Sequence, residues 1–319
     1  PKQFPLTGDS TAPDRLQPHH ESQGGADGVA LPAAIFRALF AKRRPRGHMR
    51  LGTWAARIFP SMQHTRVPYE GTWITLDLRR IDHQTTFFDG TLVCESDELK
   101  LLEDIVPVGG TAIDVGANIG LYTIPLARLV GQTGRVISYE PEAENLLTNT
   151  AAFPQVLVRD VAVADKEAEV MWRSNRSSSL SRIVPKSGAK FRDTHATAVT
   201  IDAEVARLNL VNVDFLKIDV EGGEAGVLAG ARRLVSAEPA PVIMFEWIPD
   251  FRTRSEKSAL TVLKENVGAG WRLFRVGWDL PIAELHNFAG PEANANIFAF
   301  PPSRSLALNK FLDSSQLRS

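Results

Sequence analysis

The chain has 319 residues, 44% of them hydrophobic and 23% charged, which is the composition of an ordinary folded globular protein. With 36 Lys and Arg against 37 Asp and Glu, the net charge of −1 gives no overall field that attracts nucleic acid or an anionic lipid surface. The single cysteine, Cys94, excludes an intrachain disulfide and a cysteine-rich zinc site, so we expect a reducing, cytoplasmic setting. No apolar run has the roughly 20 residues of a membrane span, and the sequence lacks the order of a signal peptide.

The N-terminal segments differ in character from the rest of the chain. Residues 1–30 are rich in Pro, Gly, Ser, Asp and His, which predicts a disordered tail. Residues 31–70 are predicted to be a basic amphipathic helical extension, because apolar residues recur at helical spacing before a basic run: Leu31, Ile35, Phe36, Leu39 and Phe40. We expect the apolar face to pack on the domain, with peripheral membrane contact through 31–46 or docking on a partner as the alternatives.

A β-hairpin is predicted within residues 71–95, since 73–78 and 84–88 favour strand and Asp82-His83 favours a turn. Beyond it, a helix over 96–105 leads into the main domain at 96–302. Strands predicted at 111–115, 135–139, 156–158, 215–220 and 242–245 alternate with helices, which indicates a parallel sheet covered on both faces. Residues 271–276 and 296–300 are predicted to close the sheet as an antiparallel pair, and 303–319 to form a C-terminal tail.

A glycine-bearing turn follows the first strand of this domain. It reads Asp114-Val-Gly116-Ala-Asn118-Ile-Gly120 and lies between strand and helix, where an open α/β sheet binds its ligand. We expect Gly116 and Gly120 to let a cofactor approach the backbone, although such turns also need glycine for packing. Glu140 follows about 20 residues later, where an acid meets ribose hydroxyls. The absence of G-x-G-x-x-G favours a nucleoside cofactor without a pyrophosphate over a nicotinamide dinucleotide.

A second charged segment lies at residues 215–221. The strand period places Lys217, Asp219 and Glu221 on one face, and buried charges are rare unless they are paired or functional. The structural alternative is an internal Lys217–Asp219 ion pair with Asp219 or Glu221 capping the next helix near Gly222. This alternative is compatible with catalysis, because the carboxyl end of the strand is also the ligand-binding edge.

Together with Phe245-Glu246-Trp247, the D-V-G-A-N-I-G turn and the K-I-D-V-E-G segment resemble the FkbM family of class I S-adenosylmethionine-dependent methyltransferases. The likeness runs from about residue 88 to 300 and does not include residues 1–70. It implies a doubly wound, Rossmann-like α/β sheet of order 3-2-1-4-5-7-6 with the last strand antiparallel, preceded here by the helix and hairpin extension. It also implies S-adenosylmethionine as cofactor and O-methylation of a sugar or natural-product hydroxyl.

The resemblance also assigns cofactor-binding residues by position. Glu140 would hold the ribose, and the adenine side would fall on Asp160 and Ala162. The methionine end would be lined by four residues of the turn: Asp114, Gly116, Asn118 and Gly120.

Transfer to an aliphatic hydroxyl needs a base, which contributes on the order of 10²–10⁴ to the rate. Our leading hypothesis places Asp219 and Glu246 on the acceptor hydroxyl, with Lys217 tuning Asp219 and Glu221 supporting the site. The other candidate bases are Glu221, His83 and His195, with His195 ranked last. Asp219 and Glu246 could instead share a Mg²⁺ ion, and the sequence does not decide between metal and direct base.

Acceptor contacts are predicted more loosely. Ser179, Ser181 and Arg182 lie in a Ser- and Arg-rich stretch that either binds a polar acceptor or is a solvated loop. Trp247 and Trp278 either stack on a sugar face or pack in the core.

The leading interpretation is an enzyme that O-methylates a saccharide, glycolipid or glycosylated metabolite, taking a small-molecule or glycan acceptor and no nucleic acid. The alternatives are methylation of nitrogen or of a non-sugar scaffold such as a polyketide or peptide, and a catalytically silent binding protein.

Overall fold

The computed structural model describes residues 31–40, 46–89, 96–174, 182–184, 193–249, 257–277 and 280–316. The predicted tail at 1–30, Cys94, Ser179, Ser181 and Trp278 lie outside the described residues. Within the described part, no helix is both long enough and apolar enough to cross a bilayer.

Helices and strands alternate through most of the chain. The helices are α1 (Leu31–Phe40), α2 (His48–Ile58), α3 (Ile81–Asp89), α4 (Ser96–Ile105), α5 (Thr123–Val130), α6 (Glu144–Thr150), α7 (Ile201–Arg207), α8 (Glu224–Ala229), α9 (Arg232–Val235), α10 (Ala259–Asn266) and α11 (Ser305–Gln316). The strands are β1 (Thr65–Tyr69), β2 (Thr72–Leu76), β3 (Thr111–Val115), β4 (Arg135–Tyr139), β5 (Val156–Arg159), β6 (Ala162–Val163), β7 (Ala168–Arg173), β8 (Arg182–Val184), β9 (Thr194–Val199), β10 (Phe215–Ile218), β11 (Val242–Trp247), β12 (Arg272–Gly277), β13 (Leu280–Leu285) and β14 (Ala295–Phe300).

The central sheet has eight strands in the order β5-β4-β3-β10-β11-β14-β12-β13. The five strands from β5 to β11 are parallel, and β14 runs antiparallel to both β11 and β12. The chain therefore winds outward from β3 in both directions, which makes the fold a doubly wound α/β sheet. The predicted closing antiparallel pair is confirmed as β12 with β14. The edge strand β13 was not predicted, and it contains Pro281, which an edge strand tolerates.

Both faces of this sheet are buried. Ile113 and Val115 of β3 lie in the hydrophobic cluster beneath α7 to α10, whereas Ala112 faces the cluster beneath α4, α5 and α11. Every strand of the sheet's centre is therefore apolar on both sides, and polar side chains are tolerated mainly where strands end.

The predicted C-terminal tail is wrong for most of its length. Residues 305–316 form α11, and its fully buried Phe311 packs against the sheet with ring centroids 4.9 Å from Phe300 and 5.3 Å from Phe274. Leu308 and Leu312, one helical turn apart, pack on the same cluster. The helical periodicity of these residues was the signal that the prediction overlooked.

The predicted hairpin at 71–95 is misplaced. The hairpin is formed by β1 and β2, which join through Glu70 and Gly71, both at positive φ, as a tight two-residue turn requires. Residues 84–88, predicted as its second strand, belong instead to α3. Gln84 is buried there and donates to the hydroxyl of Thr53, a contact that a local strand pattern does not reveal.

A separate four-stranded sheet of order β6-β9-β7-β8 is inserted between β5 and α7. The sequence analysis placed only a Ser- and Arg-rich stretch in this region. Arg173, at the end of β7, makes a two-bond ion pair with Asp193. The insertion touches the main sheet where Trp172 Nε1 donates to Glu142 at 3.2 Å.

The N-terminal extension packs on the first half of the central sheet. A third hydrophobic cluster joins Phe36, Met62 and Phe87 of the extension to Ile119 and Ile124, which belong to the glycine turn and α5. The extension is therefore directly attached to the segment that carries the first sequence motif.

Candidate functional site

The turn after β3 is held from beneath by Asp114, which is fully buried. One of its carboxylate oxygens accepts from the hydroxyl of Thr123 at 2.7 Å, and the other lies 3.3 Å from the ammonium of Lys217. Asp114 thus fixes the start of α5 and the end of β10 relative to β3.

The two glycines of the turn make room for the protein itself. Gly116 has φ +77°, and a Cβ there would lie 1.8 Å from the carbonyl oxygen of Asp219. Gly120 has φ +97°, and a Cβ there would lie 3.2 Å from a methyl of Leu146. Backbone conformation and internal contacts therefore already require glycine at both positions, which is the packing alternative, and the approach of a cofactor to this backbone stays a prediction.

Glu140 lies at the end of β4 with its carboxylate held by two backbone amides. The N–H of Asn118, a residue at φ +51°, donates to Oε2 at 3.0 Å, and the N–H of Glu142 donates to Oε1 at 3.0 Å. Burial raises the pKa of Glu140, while the two amide bonds oppose that rise. The carboxylate is only half-buried, so it keeps acceptor sites that a pair of ribose hydroxyls can use.

His83, a candidate base, is a buried residue of α3 that supports this turn. Its Nδ1 accepts the N–H of Asp77 at 2.9 Å, and its side chain is hydrogen-bonded to that of Asn118. Burial lowers the pKa of His83, so the ring is neutral, and an accepting Nδ1 leaves the proton on Nε2. His83 therefore orients Asn118 and has no free nitrogen with which to act as a base.

The extension contacts the turn at two further points. The side-chain amide of Asn149 accepts from the N–H of Thr75 at 2.6 Å and donates to the carbonyl of Ile119 at 2.9 Å. The hydroxyl of Tyr69 donates to the carbonyl of Leu121. The glycine turn is thus bound by hairpin residues that the sequence analysis did not associate with it.

Lys217 is the centre of the charged cluster. It is 3% exposed, and its ammonium lies 3.3 Å from both Asp114 and Asp219 while donating to the carbonyl of Gly116 at 3.2 Å. The same ammonium lies 4.9 Å from the ring centre of Tyr122. The Lys217–Asp219 ion pair, which the structural alternative predicted, is therefore present.

The structure brings Asp219, Glu221 and Glu246 together, with one carboxylate oxygen of each within 4.8 Å of the others. The strand period does not account for this arrangement, because β10 ends at Ile218 and Glu221 is at φ +56°. The helix cap predicted for Asp219 or Glu221 is not formed: no side chain caps α8 at Gly223, and the carboxylate of Glu224 accepts instead from the N–H groups of Val220 and Gly222 in the preceding loop. This leaves the three clustered carboxylates without a capping role.

A pocket lies beside the cluster. Its polar lining comes from Lys217, Asp219, Glu246 and the segment 294–296, and Tyr122 and Met244 supply apolar surface. His83 is not among the lining residues. A pocket with two carboxylates at its wall suits a ligand that carries a positive charge and hydroxyl groups.

The sequence analysis assigned no site role to Tyr122, Asn294 or Asn296, which line this pocket. Tyr122 follows the glycine turn directly, a position that could have marked it. Asn296 pairs with Glu246 in the β11–β14 register, and its amide lies 3.5 Å from the buried Glu98. Asn294 precedes β14 and has no distinguishing sequence signal.

The residues assigned to the adenine side lie apart from the pocket lining. Asp160 is exposed directly after β5, at the same edge as Glu140, whose N–H donates to the carbonyl of Arg159 at 3.1 Å. Ala162 is buried in β6, within the inserted sheet.

Of the remaining candidates, His195 is exposed on β9, in agreement with the solvent-exposed alternative. Trp247 is a core residue: its indole N–H donates to the carbonyl of Pro291 at 2.9 Å, and Gly290 packs directly against its ring. Arg182 lies on β8 of the inserted sheet.

Comparison with known proteins gives one family match. Residues 114–267 match the family model described as the methyltransferase FkbM domain. A search of curated proteins found no match.

Several solved structures are similar in fold. One is a methyltransferase FkbM from Methylobacillus flagellatus, at 17% identity over 60% of this chain and 43% of that chain, with a TM-score of 0.38. Another is an S-adenosylmethionine-dependent O-methyltransferase from Thermotoga maritima, at 16% identity over 64% of each chain, with a TM-score of 0.34. A third is Aeropyrum pernix fibrillarin with natively bound S-adenosylmethionine, at 15% identity over 64% of this chain and 73% of that chain, with a TM-score of 0.38. This chain spans less than two-thirds of the first two structures.

Proposed function

Because residues 114–267 match the family model of the methyltransferase FkbM domain, we propose that this protein is an S-adenosylmethionine-dependent methyltransferase that O-methylates a saccharide, glycolipid or glycosylated metabolite. The observation that carries the choice of a hydroxyl acceptor is the cluster of Asp219, Glu221 and Glu246 beside a pocket. A hydroxyl acceptor needs a group that removes its proton, and carboxylates at the pocket wall supply one.

The residues present fit the cofactor. Glu140 offers a carboxylate fixed by two amides, which suits the two hydroxyls of an adenosine ribose. Asp114, Gly116 and Gly120 shape the turn from within the protein, and Asn118 places its amide against Glu140. Asp160, exposed beside Glu140, is the proposed neighbour of the adenine, and Ala162, proposed for the same side, is buried in the inserted sheet.

When bound, the cofactor supplies a methyl group carried by a sulfonium sulfur. The acceptor hydroxyl then needs a base on the opposite side, and we assign this role to Asp219, whose side chain is one-third exposed. Lys217 holds this carboxylate in place from the protein interior. Glu246 orients the hydroxyl, Glu221 completes the acidic wall, and the largely buried Tyr122 and Met244 limit the access of water to the reacting groups.

A metal-assisted version uses the same residues. Asp219, Glu221 and Glu246 present oxygen ligands within 4.8 Å of one another, which is the ligand chemistry that Mg²⁺ prefers. In that version the three carboxylates would hold the ion, and it would lower the pKa of the acceptor hydroxyl.

The test is transfer of labelled methyl from S-adenosylmethionine to a panel of purified saccharides and glycolipids, with amines and non-sugar scaffolds included. We expect Asp219→Asn to reduce turnover by about 10² or more while cofactor binding is kept. Asp165→Asn and Glu103→Gln serve as controls, because these exposed carboxylates do not line the pocket. Near-normal turnover in both Asp219→Asn and Glu246→Gln would refute the assignment.

The same assay separates the alternatives. Loss of activity with EDTA and its return with Mg²⁺ would support the metal version. Transfer to amines or to a non-sugar scaffold would replace the saccharide acceptor, and cofactor binding without transfer to any acceptor would favour the silent binding protein.

A further inference from the structure

Helix α2 exposes its large apolar side chains and buries its small ones, the opposite of a usual surface helix. The side that packs on the protein carries the small residues Gly52, Thr53 and Ala56. The outward side carries Leu51, Trp54 and Ile58, which are 46%, 58% and 50% exposed. A surface helix normally buries its large apolar side chains, so the exposed side of α2 calls for a partner.

Arginines share this outward side. Arg50 and Arg57 are exposed, and at 3.6 residues per turn they lie with Leu51, Trp54 and Ile58 within roughly one-third of the helix circumference. Phe59, which directly follows the helix, is also exposed. Large apolar side chains and guanidinium groups therefore project from one side of α2.

The neighbouring helix α1 repeats the arrangement. Ala33 and Phe36 are buried, whereas Leu31, Ile35 and Leu39 project outward at intervals of four residues. This corrects the expectation that the apolar face of this segment packs on the domain, because only its Phe36 side does so. The two helices are adjacent, since a Cβ on Gly52 would lie 2.5 Å from the ring of Phe36.

The segment that contains α1 and α2 carries positive side chains and no negative ones. Eight Lys and Arg residues but no Asp or Glu lie between positions 28 and 69, in a chain whose net charge is −1. The region is thus a local basic area that the overall charge conceals. A second copy of the chain would bring like charges together at this surface, whereas an anionic surface would complement it.

We propose that the outward faces of α1 and α2 bind the surface of an anionic lipid membrane. We define this basic–apolar face by its exposed residues: Leu31, Ile35, Leu39, Arg50, Leu51, Trp54, Arg57, Ile58 and Phe59. A Trp flanked by aliphatic side chains suits the boundary between headgroups and acyl chains, and arginines beside it reach the phosphates. Both helices pack on the domain through their inner sides, so the outward side chains are left available to the membrane.

The test is flotation of the full chain with vesicles of phosphatidylcholine alone or of phosphatidylcholine and phosphatidylglycerol in equal parts. We expect binding to the anionic vesicles only, and weaker binding as salt is raised. The double variant Trp54→Ser and Ile58→Ser should reduce the partition coefficient by at least about tenfold, since it removes two side chains that the membrane would bury. Arg50→Ser with Arg57→Ser should weaken binding and reduce its salt dependence.

Matched controls are Val211→Ser with Leu306→Ser, which remove exposed apolar side chains elsewhere, and Lys264→Ser, which removes an exposed charge. All the variants alter exposed positions, so their melting transitions should match that of the wild type. The proposal is overturned by absence of binding to anionic vesicles, or by equal losses in the control variants. It is also overturned if the wild type sediments as a dimer that Trp54→Ser converts to a monomer, since the face would then be occupied by a second copy.

Discussion

Lys217 offers the sharpest test of how the charged cluster is held together. Its ammonium is 3% exposed and lies 3.3 Å from the fully buried carboxylate of Asp114. In Lys217→Met the side chain keeps its approximate volume, but Asp114 loses the cation and keeps the hydroxyl of Thr123. Removing one partner of a buried ion pair costs about 3–5 kcal/mol, because the other charge is left uncompensated in a medium of low dielectric.

The size of this loss in the free energy of unfolding distinguishes the buried pair from an ordinary surface ion pair. At roughly 2–4 °C per kcal/mol for a domain of this size, Lys217→Met should lower the Tm by roughly 6–20 °C. The control is Lys257→Met, which breaks the half-exposed pair with Glu265 and should cost under about 1 kcal/mol. Denaturant unfolding followed by circular dichroism gives both free energies.

A double variant tests the cause. Asp114→Asn removes the charge that Lys217→Met leaves behind, so the two changes together should recover most of the loss in the free energy of unfolding. The reasoning is refuted if Lys217→Met costs no more than Lys257→Met, or if adding Asp114→Asn destabilises the protein further.

Three further predictions follow from single contacts. Burial raises the pKa of Glu140, and the proposed ribose hydroxyls would donate to its charged form. Cofactor affinity measured by calorimetry should therefore fall as the pH drops through a midpoint above the ordinary Glu range. Glu140→Gln should weaken binding and abolish that dependence. Gly116→Ala should cost more than Gly47→Ala by about 2 kcal/mol or more in denaturant unfolding. Both sites have positive φ, but only at Gly116 would the new Cβ lie 1.8 Å from a backbone oxygen; equal losses would contradict the close approach. Phe311→Ala should lower the free energy of unfolding by about 3–5 kcal/mol, whereas Leu306→Ala, on the exposed side of the same helix, should be nearly neutral. A small loss for Phe311→Ala would mean that α11 does not pack on the sheet.

The sequence predicts best what short-range patterns encode. The strand, turn and helix at 111–130 are fixed by local periodicity and glycine placement, and the structure has β3 and α5 there. The hairpin prediction was wrong because the α3 segment also fits a strand pattern, and its helical form depends on contacts distant in sequence, such as that of Gln84 with Thr53. The inserted sheet escaped prediction because its strands are short and pair with one another across distant sequence.

In the candidate site, too, the residues marked by local sequence patterns were predicted and those brought in by distant contacts were not. Lys217, Asp219 and Glu246 stand out in the sequence because charges follow or interrupt apolar strands. Asn296 does not stand out, since its approach to Glu246 depends on the antiparallel register of β14. The glycines were identified with packing as one of two reasons, but the neighbour that demands Gly116 could not be named, because the carbonyl of Asp219 lies far along the chain.

The N-terminal extension connects the two proposals. Its inner side braces the turn beside Glu140 through Tyr69 and His83, so displacement of the extension would release Asn118 from its hydrogen bond to His83. Its outer side carries the basic–apolar face. A membrane contact there would place the cofactor turn near the lipid surface without altering it, because α1 and α2 are already packed through Phe36 and Gly52. A glycolipid is the one proposed acceptor class that such a contact would itself bring to the enzyme.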